Sequence, residues 1–293
     1  MAILGPTASG KTNLAIRVAD RLGAEIVSVD SMQVYRGMDI GTAKPTLIER
    51  RGITHHLIDV ADPEEDFTVA RFARMGRQVM AAAGGPLVIT GGSGLHFRAL
   101  VDPMSFAPTD PGLRASLEAE APESLVERLS AADPDVMAHI DLANHRRVVR
   151  ALEVYELTGA TPTSRAKTAE AEDLRRYVAE IPFVAVGVDP GGMMDERVDR
   201  RLAEMREGGW VEEVRALWHR MGRTARTAVG YLEMAAHAEG RVDADTAFRD
   251  AARATKRLAK KQRTWFQRDP RIRWIPWLDD PEDRARRVME TLD

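Results

Sequence analysis

The sequence predicts an α/β fold in which a parallel sheet is flanked by helices and interrupted by an all-helical insertion. Short buried-strand patterns alternate with helical patterns along the chain as far as Asp102, which is the order expected of strand–helix–strand units. Several of the strand patterns end in glycine-rich or polar turns. The periodicity then becomes helical, and a strand pattern returns at residues 181–188.

The first strand pattern, residues 1–4, leads directly into the run Gly5-Pro6-Thr7-Ala8-Ser9-Gly10-Lys11-Thr12. This run fits G-x-x-x-x-G-K-[ST] at every fixed position, and a segment with helical spacing follows it. The glycines let successive backbone N–H groups point at an anion, and the new helix adds its positive end. Lys11 supplies a cation, and Thr12 supplies a hydroxyl for Mg²⁺. We therefore predict a P-loop NTPase-like core in which residues 5–12, called here the phosphate loop, bind a di- or triphosphate.

The second strand pattern, residues 25–29, ends at Asp30-Ser31-Met32-Gln33. In open α/β sheets, ligands bind beyond the carboxyl ends of the strands. Asp30 is therefore expected beside the phosphate loop, where a carboxylate could take part in chemistry. The alternative is that Asp30 caps the segment that follows it.

The third and fourth strand patterns are residues 55–60 and residues 87–90, with a helix predicted between them over residues 69–83. The fourth strand runs into Gly91-Gly92-Ser93-Gly94, a second glycine-rich turn at the same end of the sheet. His55 and His56 have no third ligand spaced with them, so we interpret them as structural rather than metal-binding.

An insertion begins where three prolines, Pro103, Pro108 and Pro111, mark a boundary. The pattern is helical from residue 113 to about residue 159, and residues 160–180 are polar. Long helices are predicted over residues 195–207, 211–221 and 244–268. The expected organisation is a core of residues 1–104 plus 181–293 and a helical insertion of residues 105–180.

Composition restricts the function classes. The chain has 293 residues and no cysteine, which excludes disulfides and thiolate metal sites. No apolar run approaches the roughly 18 residues of a membrane span, so we expect a cytoplasmic protein. The net charge of −3 predicts no general affinity for nucleic acid. Basic residues are nevertheless clustered, with nine Lys or Arg in residues 253–273 and a smaller group at Arg146, Arg147 and Arg150. Each cluster is either a solvated helix face or a surface for phosphates.

The residues alone leave three classes open. An NTP hydrolase would usually place an acid at the end of a strand, but strand 87–90 ends in Thr-Gly-Gly and the acid is Asp30 instead. A kinase-like phosphoryl transferase and an enzyme with pyrophosphate as leaving group both fit. A nucleotide-gated binding module is the third class, although it would not need an acid aimed at the loop.

Seven blocks carry a more specific resemblance. They are Gly5 to Thr12, Ser28-Val-Asp-Ser-Met-Gln-Val-Tyr35, Met38-Asp-Ile-Gly-Thr-Ala-Lys-Pro45, Gly91-Gly-Ser-Gly-Leu95, Arg150-Ala-Leu-Glu-Val-Tyr155, Val229-Gly-Tyr231 and Lys260-Lys-Gln-Arg-Thr-Trp-Phe266. In content and order they resemble the tRNA dimethylallyltransferase family, and they cover nearly the whole chain. The family's eukaryotic members carry a zinc finger after the core. This cysteine-free chain is similar to the bacterial form.

The resemblance implies transfer of a dimethylallyl group from dimethylallyl pyrophosphate to the exocyclic amine of the adenine just 3′ of the anticodon in tRNA. It implies Mg²⁺ as cofactor, a monomer, and a phosphate loop that holds the donor's pyrophosphate. Asp30 is similar to the family's general base, and Lys11, Ser93 and Arg201 are the other expected catalytic residues. Arg201 matches an arginine near the pyrophosphate. Expected tRNA contacts are Asp30, Ser31, Met32, Gln33, Ser93, Arg114, Arg146, Arg147, Val148, Val149 and Arg150. The insertion is the expected anticodon-loop binding domain, and a P-loop nucleoside or nucleotide kinase remains the alternative.

Elementary chemistry agrees with these implied roles. An exocyclic adenine nitrogen is a poor nucleophile, and a carboxylate within reach can take its proton as the bond to carbon forms. Cations around the leaving pyrophosphate stabilise its growing charge. The chain departs from the family pattern at Ser93, His96 and Asn144, where Thr, Tyr and Asp are usual. The first two departures are expected near the substrates.

Overall fold

The computed structural model describes residues 1–292. The chain divides into two compact units. Met1–Val101 and Ile181–Asp293 form the first, called here the sheet unit, and Asp102–Glu180 form the second, the helical unit.

The sheet unit is built on a six-stranded sheet with the order β3-β2-β4-β1-β5-β6, and every pairing in it is parallel. The strands are β1 (Ala2–Leu4), β2 (Glu25–Ser28), β3 (His55–His56), β4 (Leu87–Gly91), β5 (Ala185–Gly187) and β6 (Ile272–Trp274). Strand β1 lies in the middle, with Leu4 opposite Gly91 of β4 and Gly187 of β5. The phosphate loop therefore leaves the sheet at its centre, at the carboxyl end.

The helices are α1 (Lys11–Leu22), α2 (Val69–Ala82), α3 (Gly94–Val101), α4 (Pro111–Glu118), α5 (Pro122–Ala132), α6 (His145–Thr158), α7 (Pro162–Ala166), α8 (Ala169–Arg175), α9 (Met194–Glu207), α10 (Trp210–Leu217), α11 (Tyr231–Ala238), α12 (Ala244–Gln267) and α13 (Pro281–Met289). Single 3₁₀ turns occur at Val136–Ala138, Gly191–Met193 and Ala225–Thr227. No described helix is both long enough and apolar enough to cross a membrane.

Both faces of the sheet are buried, as a parallel sheet requires. Ile3 of β1 points to a cluster that contains residues of α1 and α13. Its neighbours Ala2 and Leu4 point to the opposite face, where α2, α3, α10 and α12 contribute Phe72, Phe97, Trp210 and Phe266. Because side chains alternate along a strand, three residues are enough to bind two layers of helices to the sheet.

The helical unit has its own hydrophobic core, formed by Leu117, Leu125, Leu129, Val148 and Leu152 among others. Helix α6 is central to it and is capped at its start by Asn144, whose side chain accepts a hydrogen bond from the Arg147 N–H at 3.3 Å. Asn is as good an N-cap as Asp, so the departure from the family pattern at residue 144 preserves the start of the helix.

The predicted α/β class is confirmed, and several predicted boundaries are corrected. The strand expected at residues 55–60 is only His55–His56, because Leu57 and Asp59 take positive φ angles of 62° and 57°. The strand expected at 181–188 is Ala185–Gly187. Helices α3, α11 and α13 and strand β6 were not predicted; three of these four elements have eight residues or fewer, too short for a strong periodic signal.

Candidate active site

The phosphate loop connects β1 to α1, and its backbone is bent by two residues in the left-handed region. Ala8 has φ 61° and Gly10 has φ 81°. The Ser9 N–H donates to the Pro6 carbonyl at 3.3 Å, and Lys11 Nζ donates to the same oxygen at 3.2 Å. The loop leads directly into the start of α1 at Lys11, and the N-terminus of a helix favours an anion.

Helix α9 brings two arginines to this loop. Arg197 Nε donates to the Ala8 carbonyl at 2.7 Å, and Arg201 Nη1 donates to Thr7 Oγ1 at 3.1 Å. The Arg197 guanidinium also lies 4.8 Å from the centre of the Trp277 ring. The sequence predicted Arg201 at this place, whereas Arg197 had been given no role of its own.

The cations of the site are crowded and partly desolvated. Burial lowers the pKa of Lys11 to about 8, Arg201 acts in the same direction, and the charge of Asp30 opposes both. Burial also lowers the pKa of Arg201, and the neighbouring Arg197 lowers it further. A bound anion would relieve this mutual repulsion, so the electrostatics of the site favour a polyanionic ligand such as a pyrophosphate.

A cavity within the sheet unit connects the phosphate loop to Asp30. Its polar lining includes Thr7, Lys11, Thr12, Ser28, Asp30, Gln33, Thr90, Arg201 and Gln262. Its apolar lining includes Ile26, Met32, Ile58, Leu202, Met205, Trp210, Val229 and Leu258. One cavity thus offers both an anion-binding end and an apolar wall, which suits a ligand with a charged head and a hydrocarbon tail.

Asp30 follows β2, as the sequence predicted, and its carboxylate Oδ1 accepts hydrogen bonds from the backbone N–H groups of Met32 (2.8 Å) and Gln33 (3.2 Å). Oδ1 therefore performs the capping role that was the alternative interpretation. Capping does not remove Asp30 from the site, because it lines the same cavity as Lys11 and Arg201. Its role as a base stays a prediction.

Gln262 of α12 is a site residue that sequence reasoning did not single out. Its Oε1 accepts the Thr7 N–H of the phosphate loop at 2.7 Å. The side chain therefore holds one end of the loop from a position 255 residues away. The signal in the sequence was the Lys260 to Phe266 block, which indicated the family but no role for this amide.

Ser93 and His96 pair with each other and do not line the cavity. Ser93 Oγ and His96 Nδ1 are hydrogen-bonded at 2.7 Å, and the His96 ring packs edge-on against Phe72. Burial lowers the pKa of His96 to about 4, with the charge of Asp30 opposing, so the ring is neutral at pH 7. Of the predicted catalytic residues, Asp30, Lys11 and Arg201 line the cavity. Ser93 does not line it, although its backbone N–H donates to the carbonyl of Val29, the residue before Asp30, at 3.1 Å.

The segment Asp39 to Lys44 forms one wall of the cavity and is held from several sides. Glu213 of α10 accepts the backbone N–H groups of Asp39, Ile40 and Gly41 at 2.8, 2.6 and 3.1 Å. Gln33 Nε2 donates to the carbonyls of Thr42 and Ala43.

The same segment is fixed at its end by a buried cation. Lys44 Nζ donates to the Tyr35 carbonyl at 2.8 Å and to the carboxylates of Asp39 and Asp59 at 2.5 and 2.6 Å. These contacts offset the backbone cost of Ala43, which has φ 49°. Sequence reasoning used this block only as a family signature and missed that it is a preorganised wall.

In the helical unit, two of the expected tRNA contacts have a structural role. Arg114 Nη2 and Arg150 Nη1 each donate to Glu153 Oε2 at 2.6 Å, and the Glu153 side chain is fully buried. Burial acts to raise the pKa of Glu153, but hydrogen bonds from Thr109, Arg114 and Arg150 outweigh it and lower that pKa to about 2. The sequence gave no sign of this cluster.

The other residues that were expected to contact tRNA differ in how far their side chains are exposed to solvent. Arg146 and Arg147, in the first turn of α6, are exposed, and Ser31, Met32 and Gln33 follow Asp30 in the sheet unit. Val148 and Val149 are only 1% and 2% exposed and lie in the core of the helical unit. Their side chains are covered by protein and are not exposed for a contact with tRNA, and the expected contact at this stretch stays a prediction.

The oxygen chemistry around Thr12 fits Mg²⁺. Thr12, Thr90 and Asp30 line the same cavity, and Thr90 Oγ1 is buried without a hydrogen-bond partner among the described residues. Mg²⁺ binds oxygen and takes few protein ligands when phosphates are present. In residues 1–292 no cluster of three or more His, Cys, Asp or Glu could hold a metal by itself. A cation here would depend on its phosphate ligand.

Comparison with known proteins gives consistent matches. A family model described as IPP transferase matches residues 33–269. The tRNA dimethylallyltransferase of Bifidobacterium animalis subsp. lactis is 44% identical over 100% of this chain and 87% of that protein. That of Kineococcus radiotolerans is 45% identical over 100% of this chain and 96% of that protein.

A solved structure agrees. The crystal structure of the tRNA isopentenylpyrophosphate transferase from Bacillus halodurans is 34% identical, with a TM-score of 0.71, and the match covers 99% of this chain and 94% of that one. The resemblance seen in the seven sequence blocks is thereby confirmed over nearly the full length. The chain belongs to the IPP transferase family, the family of the tRNA dimethylallyltransferases.

Proposed function

We propose that this protein transfers a dimethylallyl group from dimethylallyl pyrophosphate to the exocyclic N6 amine of the adenine immediately 3′ of the anticodon in tRNA, releasing pyrophosphate. The observation that carries the proposal is the single cavity lined by the phosphate-loop residues Lys11 and Thr12, by Arg201 and by Asp30. Family membership supports the reaction, since the relatives described above are named for it.

In this reaction the adenine N6 nitrogen forms a bond to C1 of the prenyl group while the C1–O bond to pyrophosphate breaks. The leaving pyrophosphate takes the electron pair of that bond, and N6 gives up one proton. Asp30 is the proposed acceptor of the proton. Its Oδ1 is fixed by two backbone N–H groups, so the carboxylate needs no reorganisation before it acts.

The pyrophosphate end is stabilised by cations and donors that the loop already holds together. Lys11 and Arg201 face the cavity, and Arg197 supports the loop from behind through the Ala8 carbonyl. Negative charge grows on the leaving oxygen in the transition state. Fixed positive groups therefore stabilise the transition state more than the bound substrate, and this difference lowers the barrier.

Mg²⁺ is the proposed cofactor, with Thr12 as its protein ligand. A bound Mg²⁺ would add positive charge beside the leaving group and help to orient it. The Thr12 hydroxyl and the Asp30 carboxylate both supply oxygen to the same cavity, which supports this assignment.

A base in an anticodon loop must leave its stack to enter a cavity. We propose that the helical unit binds the anticodon stem-loop and that its exposed residues Arg146 and Arg147 contact phosphates. We also propose that the protein acts as a monomer, as its resemblance to the family implies. A substrate such as tRNA supports a cytoplasmic location.

A P-loop kinase, the alternative left open by the sequence, is not favoured, since the relatives are named as tRNA prenyltransferases. A direct test uses an unmodified anticodon stem-loop RNA, dimethylallyl pyrophosphate and Mg²⁺. Mass spectrometry should show the RNA gaining one dimethylallyl unit. With ATP in place of the prenyl donor, no phosphate should be transferred; phosphate transfer without prenylation would overturn the proposal.

A further inference from the structure

The apolar part of the cavity suggests a limit on the length of the prenyl donor. Helix α9 lines the cavity with Arg201, Leu202 and Met205 in succession. Arg201 contacts Thr7 of the phosphate loop, so the lining changes from cationic to apolar along one helix. A donor whose pyrophosphate lies at the loop would extend its hydrocarbon toward Met205.

Helical geometry gives the scale of this lining. Arg201 and Met205 are four residues apart on one face of α9, which is an axial offset of about 6 Å. The three carbon–carbon bonds from C1 to the end of a dimethylallyl group, at about 1.5 Å each, span roughly 4 Å. A ten-carbon geranyl chain has seven such bonds in line and exceeds the offset.

Helix α12 supports the same geometry from the other side. It runs antiparallel to α9, since Lys256 pairs with Asp199 and Arg206 pairs with Asp245. It contributes Gln262 at the phosphate loop and Leu258 one turn before it. Helices α9 and α12 therefore each place a polar side chain at the phosphate loop and an apolar side chain in the cavity lining one helical turn away.

Trp210 also lines the cavity, and its ring is packed so tightly that it cannot move easily. Trp210 is 1% exposed and packs edge-on against the rings of Tyr231 and Phe248. A Cβ on Gly41 would lie 2.1 Å from Trp210 Nε1, and a Cβ on Gly230 would lie 2.2 Å from its ring. The indole is therefore clamped between two backbone segments.

We propose that Met205, which lines the cavity one helical turn from Arg201, is a specificity-determining residue that restricts the donor to a five-carbon prenyl pyrophosphate. The inference rests on the proposed prenyl transfer and adds to it the size of the donor. Met205 is a flexible part of the cavity lining, because a methionine side chain is unbranched, whereas the Trp210 ring in the same lining is rigidly held.

The test compares dimethylallyl and geranyl pyrophosphate as donors to an unmodified anticodon stem-loop, as a ratio of kcat/KM values. The wild type should prefer the shorter donor. Met205→Ala should shift the ratio toward geranyl by roughly tenfold or more, because a pocket discriminates by that factor for even one methylene group. Met194→Ala is the matched control, since Met194 lies on the same helix, is similarly buried (7% against 9%) and does not line the cavity.

The outcomes separate this inference from the proposed function. If the wild type transfers no dimethylallyl group, the proposed function fails. If it transfers dimethylallyl and geranyl groups equally well, the length limit fails while the function stands. An unchanged ratio in Met205→Ala, or an equal shift in Met194→Ala, would also overturn the inference.

A second variant protects the test against loss of fold. Met205→Val shortens the side chain less and should give a smaller shift in the same direction. Binding of the two donors without RNA, measured by calorimetry, should show the same order of preference. A variant that instead raises only the KM for the RNA would show that Met205 faces the base rather than the donor.

Discussion

Lys11 is the residue whose surroundings most clearly predict a pH dependence. Burial lowers its pKa to about 8, and Arg201 acts in the same direction. In the free protein Lys11 is therefore charged below about pH 8 and becomes neutral as pH rises through that value. Since the cation attracts the pyrophosphate, kcat/KM for the donor should fall above about pH 8, because this ratio reports the free enzyme.

A pH–rate profile at saturating tRNA checks this expectation. Lys11→Arg should move the fall to higher pH, since a guanidinium stays charged, even if its absolute rate is lower. A flat profile for the wild type between pH 7 and pH 9.5 would contradict the role of Lys11. The free energy of unfolding depends on pH in the opposite direction. A lysine whose pKa is lowered in the folded state reduces stability below about pH 8, and this loss is relieved as the pH rises from about 8 toward the pKa of lysine in the unfolded chain.

Asp30 carries the proposed proton transfer, and its capping bonds make the test sharper. Asp30→Asn keeps an oxygen to accept the N–H groups of Met32 and Gln33, so the loop should keep its shape. Asn cannot accept the amine proton at neutral pH. Single-turnover prenyl transfer should therefore fall by roughly 10²–10⁴, with smaller changes in the affinities for donor and tRNA.

A magnesium series at saturating tRNA distinguishes the remaining roles of Asp30. A carboxylate that only bound the cation would be replaced in part by excess Mg²⁺. If Asp30 only caps the segment after it, Asp30→Asn should keep near-normal turnover, because Asn caps as well as Asp. Either that result or full recovery of the rate at high Mg²⁺ would show that Asp30 is not the base.

At the scale of elements, the contrast between predicted and missed residues has a physical origin. Lys11 could be found because it belongs to a short contiguous motif, and Asp30 because it follows a predicted strand. Arg201 was expected only from the resemblance to the family. Gln262 and Glu213 act on backbone groups 255 and 172–174 positions away. Such contacts depend on how helices pack on the sheet, and no local pattern encodes them.

Glu213 gives the clearest prediction at this scale. It accepts three consecutive backbone N–H groups of the cavity wall and the Tyr231 hydroxyl at 2.7 Å. Burial, followed by the charge of Glu213, raises the pKa of Tyr231, so that hydroxyl stays a donor. Glu213→Gln replaces one accepting oxygen by a donor that faces N–H groups, and it should cost about 1–3 kcal/mol of stability.

Chemical denaturation measures this cost, and Glu212→Gln is the matched control. Glu212 is the adjacent residue, is exposed and pairs with Arg215 one turn away, so its replacement should change stability by less than about 0.5 kcal/mol. If both variants behave alike, the wall does not depend on Glu213. Glu213→Gln should also raise the KM for the donor, because Gly41, Thr42 and Ala43 line the cavity.

At the scale of the whole molecule, the two units are independent in their cores. The hydrophobic clusters on the two faces of the sheet contain no residue of Asp102–Glu180, and the cluster of the helical unit contains no residue outside it. The sequence located the insertion from its prolines and its change of periodicity. It did not reveal that Val101 and Ile181 are joined by a backbone hydrogen bond of 3.3 Å, from the Ile181 N–H to the Val101 carbonyl.

This arrangement predicts the result of removing the helical unit. With residues 102–180 replaced by a short glycine-rich linker, the sheet unit should fold, because its chain ends are already adjacent and a domain with its own core can fold alone. It should still bind dimethylallyl pyrophosphate with Mg²⁺, since every cavity-lining residue remains. Its affinity for the anticodon stem-loop should be lost, together with the steep salt dependence that phosphate contacts give.

Three measurements check this prediction. Circular dichroism shows whether the sheet unit folds, and calorimetry measures its binding of the donor. Titration with RNA at several salt concentrations measures its affinity for the stem-loop and the salt dependence of that affinity. Undiminished RNA binding would instead assign recognition to the sheet unit, where Arg257, Lys260 and Lys261 are exposed on α12.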